Sequence, residues 1–281
     1  MVKITVLMDD KPNPEKGEYH VEHGLSMLVE FDGLKIIYDT GSSGRFILNA
    51  GLMGLNLGNA DFMFISHGHY DHMGGVNKFL SNYGTVPVYL SDNIAGNRFY
   101  SSRTSLKRDI GVDNNIFVKH ADRFIFLSDS RWLSENIASV KCDIEDFPGP
   151  KGNSFLSIAN SLGEGVDSFP HEQSLAIRDG DGLIIISACS HRGVMNIIES
   201  CEKFTGTNIV KAFVGGTHFI DEVDRKNTET EDFVLSFSSK YPSTKLYTGH
   251  CTGDNARKVF KENEGSLQVE YFYVGKEILI D

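Results

Sequence analysis

Six consecutive residues, His67-Gly68-His69-Tyr70-Asp71-His72, gather three imidazoles and a carboxylate directly behind the strand-like run Phe62-Met63-Phe64-Ile65-Ser66. Crowding such groups is costly unless a cation organises them. Imidazole nitrogen suits zinc, iron, manganese or nickel, and a carboxylate can bridge two ions. In extended chain His67 and His69 project to the same side and can grip one ion. Asp71 and His72 follow the turn, at a helix start, where they can face a second. Gly68, Gly74 and Gly75 let the backbone bend closely around the site. A solvated surface run of histidines would need neither the buried strand in front nor the glycines behind.

The elements that must position this loop are legible as alternating strands and helices. Strands are expected at residues 2–8, Leu25–Glu30, Lys35–Asp39, Phe62–Ser66 and Val86–Leu90, with helices at about Arg45–Leu52 and Met73–Tyr83. The second half repeats the grammar. Its strands are Ser174–Arg178, Leu183–Ala188, Lys211–Val214 and Lys245–Thr248, and its helices Gly193–Phe204 and Glu229–Ser239. This alternation predicts an α/β layered fold. No internal repeat or low-complexity tract is present.

One loop cannot complete two metal sites, and in layered α/β folds ligands collect at the carboxyl ends of strands. Asp39 ends one strand and is placed to hold the histidine loop by hydrogen bonding. His191, His218 and His250 each follow an apolar strand beside a glycine or a helix start, and are the further candidate ligands. His23 and His171 are weaker candidates, and His20 and His120 read as surface residues. Cys189 and Cys251 flank the candidate histidines, either as thiolate ligands or as small buried residues.

The 281 residues are 40% hydrophobic and 23% charged, with a formal net charge of −11. That composition is ordinary for a globular protein, and the charge argues against a general nucleic-acid or anionic-membrane surface. A small anionic substrate beside bound cations is not excluded. No stretch approaches the roughly 18 uninterrupted apolar residues of a membrane span, and the four cysteines form no CxxC pair. A reduced, cytoplasmic protein is the expectation. Residues from about 91 to 170 are polar and irregular, and read as an insertion in a single domain spanning 1–281. This stretch offers a hairpin-like pair, Phe124–Ser128 with Ile137–Ile144. It also carries Arg98, Arg103, Lys107, Arg108, Lys119 and Arg123, a cluster read as a solvated face in preference to a phosphate contact.

Together, Asp39, the HxHxDH loop and the later strand ends finishing at His250 resemble the metallo-β-lactamase superfamily over nearly the whole chain. The segments Glu22–Ser26, Ser187–Gly193, Gly215–Phe219 and Gly249–Gly253 resemble a narrower branch. That branch includes archaeal dihydropterin–ribofuranosylaminobenzene 5′-phosphate synthases and many metal-dependent hydrolases. The resemblance implies an αββα four-layer sandwich and two divalent transition-metal ions, zinc first, with iron, manganese or nickel as alternatives. It places His67, His69 and His191 on one ion and Asp71, His72 and His250 on the other. Asp71 would also orient or deprotonate the nucleophile, and His218 would be a ligand, a general acid or a binder of substrate anion. One departure stands out: the strand where the superfamily carries a bridging Asp runs here into Cys189-Ser190-His191, so that either Cys189 or His191 takes that role or one metal site is weak or empty. His191 or His171-Glu172 could supply the third histidine motif.

The function implied is a hydrolase using a metal-activated water on a phosphoester, ester or lactone of a small molecule. The alternative is a synthase or transferase acting on a phosphorylated pterin or ribosylaminobenzene-type substrate. A nuclease and a redox or metal-sensing protein are lesser readings. The partner expected is a small molecule, with no nucleic acid and no membrane, and the oligomeric state is left open.

Overall fold

Residues 182–187 (Gly-Leu-Ile-Ile-Ile-Ser) are buried at every position, as a strand in the middle of a sheet must be. The computed structural model describes residues 1–281 except Ser105 and Asp224. In chain order it contains β1 (Val2–Met8), β2 (Ser26–Phe31), β3 (Leu34–Tyr38), α1 (Arg45–Leu52), β4 (Phe62–Phe64), α2 (Tyr70–Met73), α3 (Val76–Asn82), β5 (Val88–Ser91), β6 (Arg98–Ser101), β7 (Arg108–Asp109), α4 (Asn115–Lys119), β8 (Phe124–Leu127), β9 (Arg131–Trp132) and β10 (Ile137–Lys141). There follow β11 (Leu156–Asn160), β12 (Gly163–Val166), β13 (Gln173–Asp179), β14 (Gly182–Ser187), α5 (Val194–Thr205), β15 (Val210–Gly215), α6 (Thr228–Lys240), β16 (Lys245–Thr248), α7 (Asp254–Glu262), β17 (Val269–Tyr271) and β18 (Glu277–Ile280).

The chain forms two compact units. Unit 1 comprises Met1–Ser128, Leu156–His171 and Phe272–Asp281, and unit 2 comprises Asp129–Phe155 and Glu172–Tyr271. Unit 1 holds a seven-stranded sheet in the order β18-β1-β2-β3-β4-β5-β8 and a four-stranded sheet in the order β12-β11-β6-β7. Its β3, β4, β5 and β8 run parallel, so α1, the α2–α3 pair and α4 lie on the crossovers between them. Phe46 and Ala50 of α1 and Val76, Phe79 and Leu80 of α3 pack with Leu28, Ile37, Met63 and Val88 of the sheet. Each such buried Phe, Leu, Ile, Met or Val side chain contributes roughly 1.5–3 kcal/mol.

Unit 2 repeats the scheme with the order β17-β16-β15-β14-β13-β10-β9. Here β14 to β17 are parallel and α5, α6 and α7 form the crossovers. Ile197, Ile198, Phe237 and Phe260 on those helices pack with Ile185, Phe213 and Leu246. The result is the mixed α/β fold expected, with sheets flanked by helices.

Two details differ from the sequence expectation. Phe124–Ser128 and Ile137–Ile144 do not form a hairpin: β8 pairs with β5 in unit 1, and β10 pairs with β9 and β13 in unit 2. Parallel pairing with β5 buries Phe124 and Leu127 while Ile125 and Phe126 stay at the surface. The expected helix at 73–83 is broken into α2 and α3 at Gly74-Gly75. Side chains there would run into backbone oxygens of Ser42, Ser43 and Thr40, so the close approach of loop 40–44 demands glycine.

The basic cluster is engaged at several points. Arg98 pairs with Asp109 at 2.6 Å, Lys107 pairs with Glu164, Lys119 donates to Asn77 at 2.9 Å, and Arg123 donates to the carbonyls of Gly84 and Val86. No helix among the described residues is long and apolar enough to cross a membrane.

Glycine packing gives a paired test by urea denaturation. Gly75→Ala is expected to destabilise the protein by about 2–3 kcal/mol through backbone overlap. Gly51→Ala, at an open helical position with no atom near the new methyl, is expected to stabilise it by about 0.5–1 kcal/mol.

Candidate metal centre

In unit 1 the candidate side chains sit past the ends of the parallel strands β3 and β4. Asp39 follows β3 and is fully buried, as are His67 and His72. Its Oδ1 accepts the Ser66 N–H at 2.8 Å, and its Oδ2 accepts the Ser66 hydroxyl at 2.7 Å and His72 Nδ1–H at 2.7 Å. The expectation that Asp39 holds the histidine loop is met. Because Ser66 Oγ gives its proton to Asp39, it accepts from His67 Nδ1, 2.9 Å away. That leaves the lone pair of His67 on Nε2. The loop is held again from Thr40, whose N–H and hydroxyl both donate to the His72 carbonyl at 2.8 Å.

The donor atoms fit a metal ion. His67 Nε2 and His69 Nδ1 are 3.0 Å apart, close to the ~3.3 Å spanned by two zinc–nitrogen bonds at a tetrahedral angle. Asp71 Oδ2 lies 3.4 Å from His72 Nε2 and 3.3 Å from His23 Nε2. Burial, reinforced by neighbouring His171, pulls the His69 pKa down to about 3, so its imidazole is neutral, as a ligand must be. Burial also opposes charge on His72, yet Asp71 and Asp39 outweigh it and raise that pKa to about 9. The two carboxylates therefore draw positive charge to this point, and a divalent ion satisfies the same demand.

Two further histidines join the loop. His23 is half exposed, and its Nδ1 donates to Asp10 at 2.7 Å while Nε2 faces Asp71. His171 is buried: its Nδ1 accepts the Gly68 N–H at 3.1 Å, and Nε2 lies 3.0 Å from Asp167. One ring nitrogen braces the loop and the other is tied to Asp167, so His171 steadies His69 from behind. Ligand atoms of His69, Asp167 and His171 all lie within 4.8 Å of one another. Sequence reading missed Asp10 and Asp167. The four-residue spacing of Asp167 and His171 was the available signal for the second.

Unit 2 presents its candidates past β14, β15 and β16. His191 is clamped from several directions. Its N–H and that of Arg192 each donate to the Glu172 carboxylate at 2.8 Å, its carbonyl accepts from Asn153 Nδ2 at 2.7 Å, and Nδ1–H donates to Asn153 Oδ1 at 3.0 Å. The Nε2 lone pair is thereby presented to a ligand. Both Glu172 oxygens are occupied as a brace, and burial raises its pKa to about 7 against the backbone N–H groups that hold it down. His218 and His250 are also buried, and the rings of His191 and His218 lie 4.3 Å apart. Cys189, His218 and Cys251 bring one sulfur, one nitrogen and one sulfur within 4.8 Å of one another. Burial pushes the Cys251 thiol up, but Cys189 and the nearby imidazoles of His218 and His250 bring it well below the ordinary range. His20 and His120 bind Asn49 and Asn77, away from both sets.

One backbone feature recurs at these strand ends. Asp39, Ser190, His218 and His250 all have positive φ, at 55°, 60°, 53° and 47°. Left-handed backbone at non-glycine residues costs on the order of 1 kcal/mol each and gathers at functional sites.

The Glu172 brace makes a stability prediction: Glu172→Ala orphans one buried and one part-buried N–H group and is expected to cost about 2–4 kcal/mol, measured by chemical denaturation.

The family model of the metallo-beta-lactamase superfamily matches residues 21–121. A full-length relative from Methanocaldococcus jannaschii, a 7,8-dihydropterin-6-methyl-4-(beta-D-ribofuranosyl)-aminobenzene-5′-phosphate synthase, is 30% identical over 99% of this chain and 96% of its own. The crystal structure of a metal-dependent hydrolase of the β-lactamase superfamily is 28% identical, covers 100% of both chains and superposes with a TM-score of 0.83. Zinc-bound PqqB from Methylobacterium extorquens, 10% identical with a TM-score of 0.61 over 99% of both chains, shares the fold.

Proposed function

Because the chain belongs to the metallo-β-lactamase superfamily, we propose that it is a metal-dependent hydrolase of a small phosphoester, ester or lactone. The observation that carries this reading is the fully buried network Asp39–Ser66–His67 with His72, which orients imidazoles toward a point where carboxylates call for a cation. The proposed ligands are His67, His69, Asp71, His72, His191 and His250, for two divalent ions of the zinc class. Bound there, such ions would make water nucleophilic at neutral pH and stabilise charge developing on oxygen.

The chain's own residues have separable tasks in this reading. Asp39 and Ser66 fix the tautomer and direction of His67 and His72. Asn153 and Glu172 do the same for His191. Asp71 is the proposed catalytic carboxylate, able to orient the attacking water and receive its proton at Oδ2. His23, half exposed and bonded to Asp10, links Asp71 to solvent. The thiol neighbours of His218 favour a ligand role for it over a proton-donor role.

A second reading has a specific observation behind it. The synthase relative is full-length at 30% identity, and a synthase would use the ions to anchor a phosphate with water excluded. The two readings share ligands and separate on product: a hydrolase releases phosphate or acid from one substrate, whereas a synthase joins two.

Metal analysis and product assays test the proposal together. Protein purified without chelator is expected to hold about two ions per chain, with the content falling in His67→Ala, Asp71→Ala and His250→Ala. Asp39→Asn is expected to lower metal affinity about 10- to 100-fold. Turnover of phosphodiesters, lactones or pterin phosphates by hydrolysis would favour the first reading, and condensation of a dihydropterin with a ribosylaminobenzene phosphate the second. No bound metal in folded wild-type protein would remove both.

A further inference from the structure

The four-stranded sheet of unit 1 has two unlike faces. Register separates them, because directly opposed residues of antiparallel strands share a face and successive residues along a strand alternate. Tyr100 stands opposite Asp109 and Ser157, and Ala159 stands opposite Arg98 and Glu164. On this face the charges are neutralised. Arg98 pairs with Asp109 at 2.6 Å, Lys107 pairs with Glu164, and both cations lie over the Tyr100 ring. The other face carries Phe99, opposite Ile158, and Ser101, directly opposite Arg108.

This second face is the one turned to the histidine loop. The Phe99 ring lies 5.7 Å from that of His69 and 4.4 Å from that of His171, and a side chain at Gly68 would overlap it. Backbone bonds fix the distance between hairpin and loop. Tyr70 N–H donates to the Ile110 carbonyl at 2.7 Å, and Ile110 N–H donates to the Phe99 carbonyl at 2.8 Å. The residue between the proposed ligands His69 and Asp71 thus sets the position of β7. Two residues along a strand span about 7 Å, so Ser101 and Arg108 sit one such step from the Phe99 that packs on His69. Arg108 is exposed, and its guanidinium has no carboxylate partner among the described residues. Ser101 is partly buried, and its Oγ accepts the Arg103 N–H at 3.4 Å, which leaves the hydroxyl hydrogen to donate.

We propose that Ser101 and Arg108 form an anion subsite that holds a terminal phosphate or carboxylate of the substrate, remote from the group engaged at the metals. The subsite rests on the metal-dependent reading above and narrows its substrate class to small molecules that carry a second anionic group. A guanidinium presents paired N–H donors to two oxygens of such a group, and the hydroxyl adds a third donor. On a chain of net charge −11, an arginine that no carboxylate neutralises draws an anion to this face. Binding energy gained there, away from the reacting bond, orients that bond at the metals.

Calorimetric titration of full-length protein purified without chelator tests the two ends of such a ligand separately. The probes are alkylphosphonates and α,ω-alkanediphosphonates of matched, increasing length, with ω-phosphonoalkanoates to replace the second phosphonate by a carboxylate. Wild type is expected to bind at least one doubly anionic probe about 10-fold or more tighter than the alkylphosphonate of the same length. Arg108→Ala is expected to remove that gain and to leave alkylphosphonate binding unchanged. Ser101→Ala is expected to reduce the gain about 2- to 5-fold, and Arg108→Lys to keep part of it. Arg98→Ala, on the opposite face, is expected to retain it, and circular dichroism checks that every variant is folded. A larger gain from the second phosphonate assigns the subsite to phosphate, and a larger gain from the carboxylate assigns it to carboxylate. The subsite is overturned if no second anion tightens binding at any length, if the gain survives Arg108→Ala in full, or if Arg98→Ala removes it equally. Those results leave alkylphosphonate binding at the metals intact, whereas failure of every probe to bind would remove the metal reading together with the subsite.

Discussion

A carboxylate buried without partners would cost several kcal/mol, and Asp39, just past β3, is wholly buried. It is tolerable because three hydrogen bonds converge on it, two from Ser66 and one from His72. Those same bonds fix Ser66, and Ser66 in turn fixes His67. The loop behind β4 is thus ordered by one charge that the strand β3 delivers. Remove that charge and the histidines lose their common direction, so the rest of the site depends on it.

The second unit reaches the same end by different means. Parallel strands joined by α5, α6 and α7 aim their carboxyl ends one way, and the chain past β14, β15 and β16 turns each time through a non-glycine residue of positive φ. Ser190, His218 and His250 carry that strain at turns where all three side chains are buried. Glu172 and Asn153 hold His191 in the manner in which Asp39 and Ser66 hold the first loop. Packing of the helices onto the sheet supplies the stability that such costly local geometry draws upon.

Much of this was legible in sequence, for identifiable reasons. The HxHxDH loop, Asp39 and the three later histidines stand at strand ends, and strand ends are visible wherever an apolar run meets glycine. Helix α1 and the strand Lys245–Thr248 were placed at their observed limits because their patterns are short and clean. Asp10 and Asn153 were not found, because their value lies in contacts made across many residues: Asn153 meets His191 38 positions away. Strands β17 and β18 are three and four residues long and show too little pattern to register. The break at Gly74-Gly75 was hidden because helical periodicity runs through it, while the approach of loop 40–44 that forces it is tertiary.

The central claim is that the buried imidazoles and carboxylates are arranged to hold metal. Anomalous X-ray diffraction at a transition-metal absorption edge, from crystals of protein purified without chelator, tests it most directly. The account predicts anomalous peaks within bonding distance of His67, His69, Asp71 and His72, at about 2.0–2.2 Å from their nitrogen and oxygen atoms. An ordered loop with its side chains bonded only to one another, and no anomalous peak beside them, would contradict it.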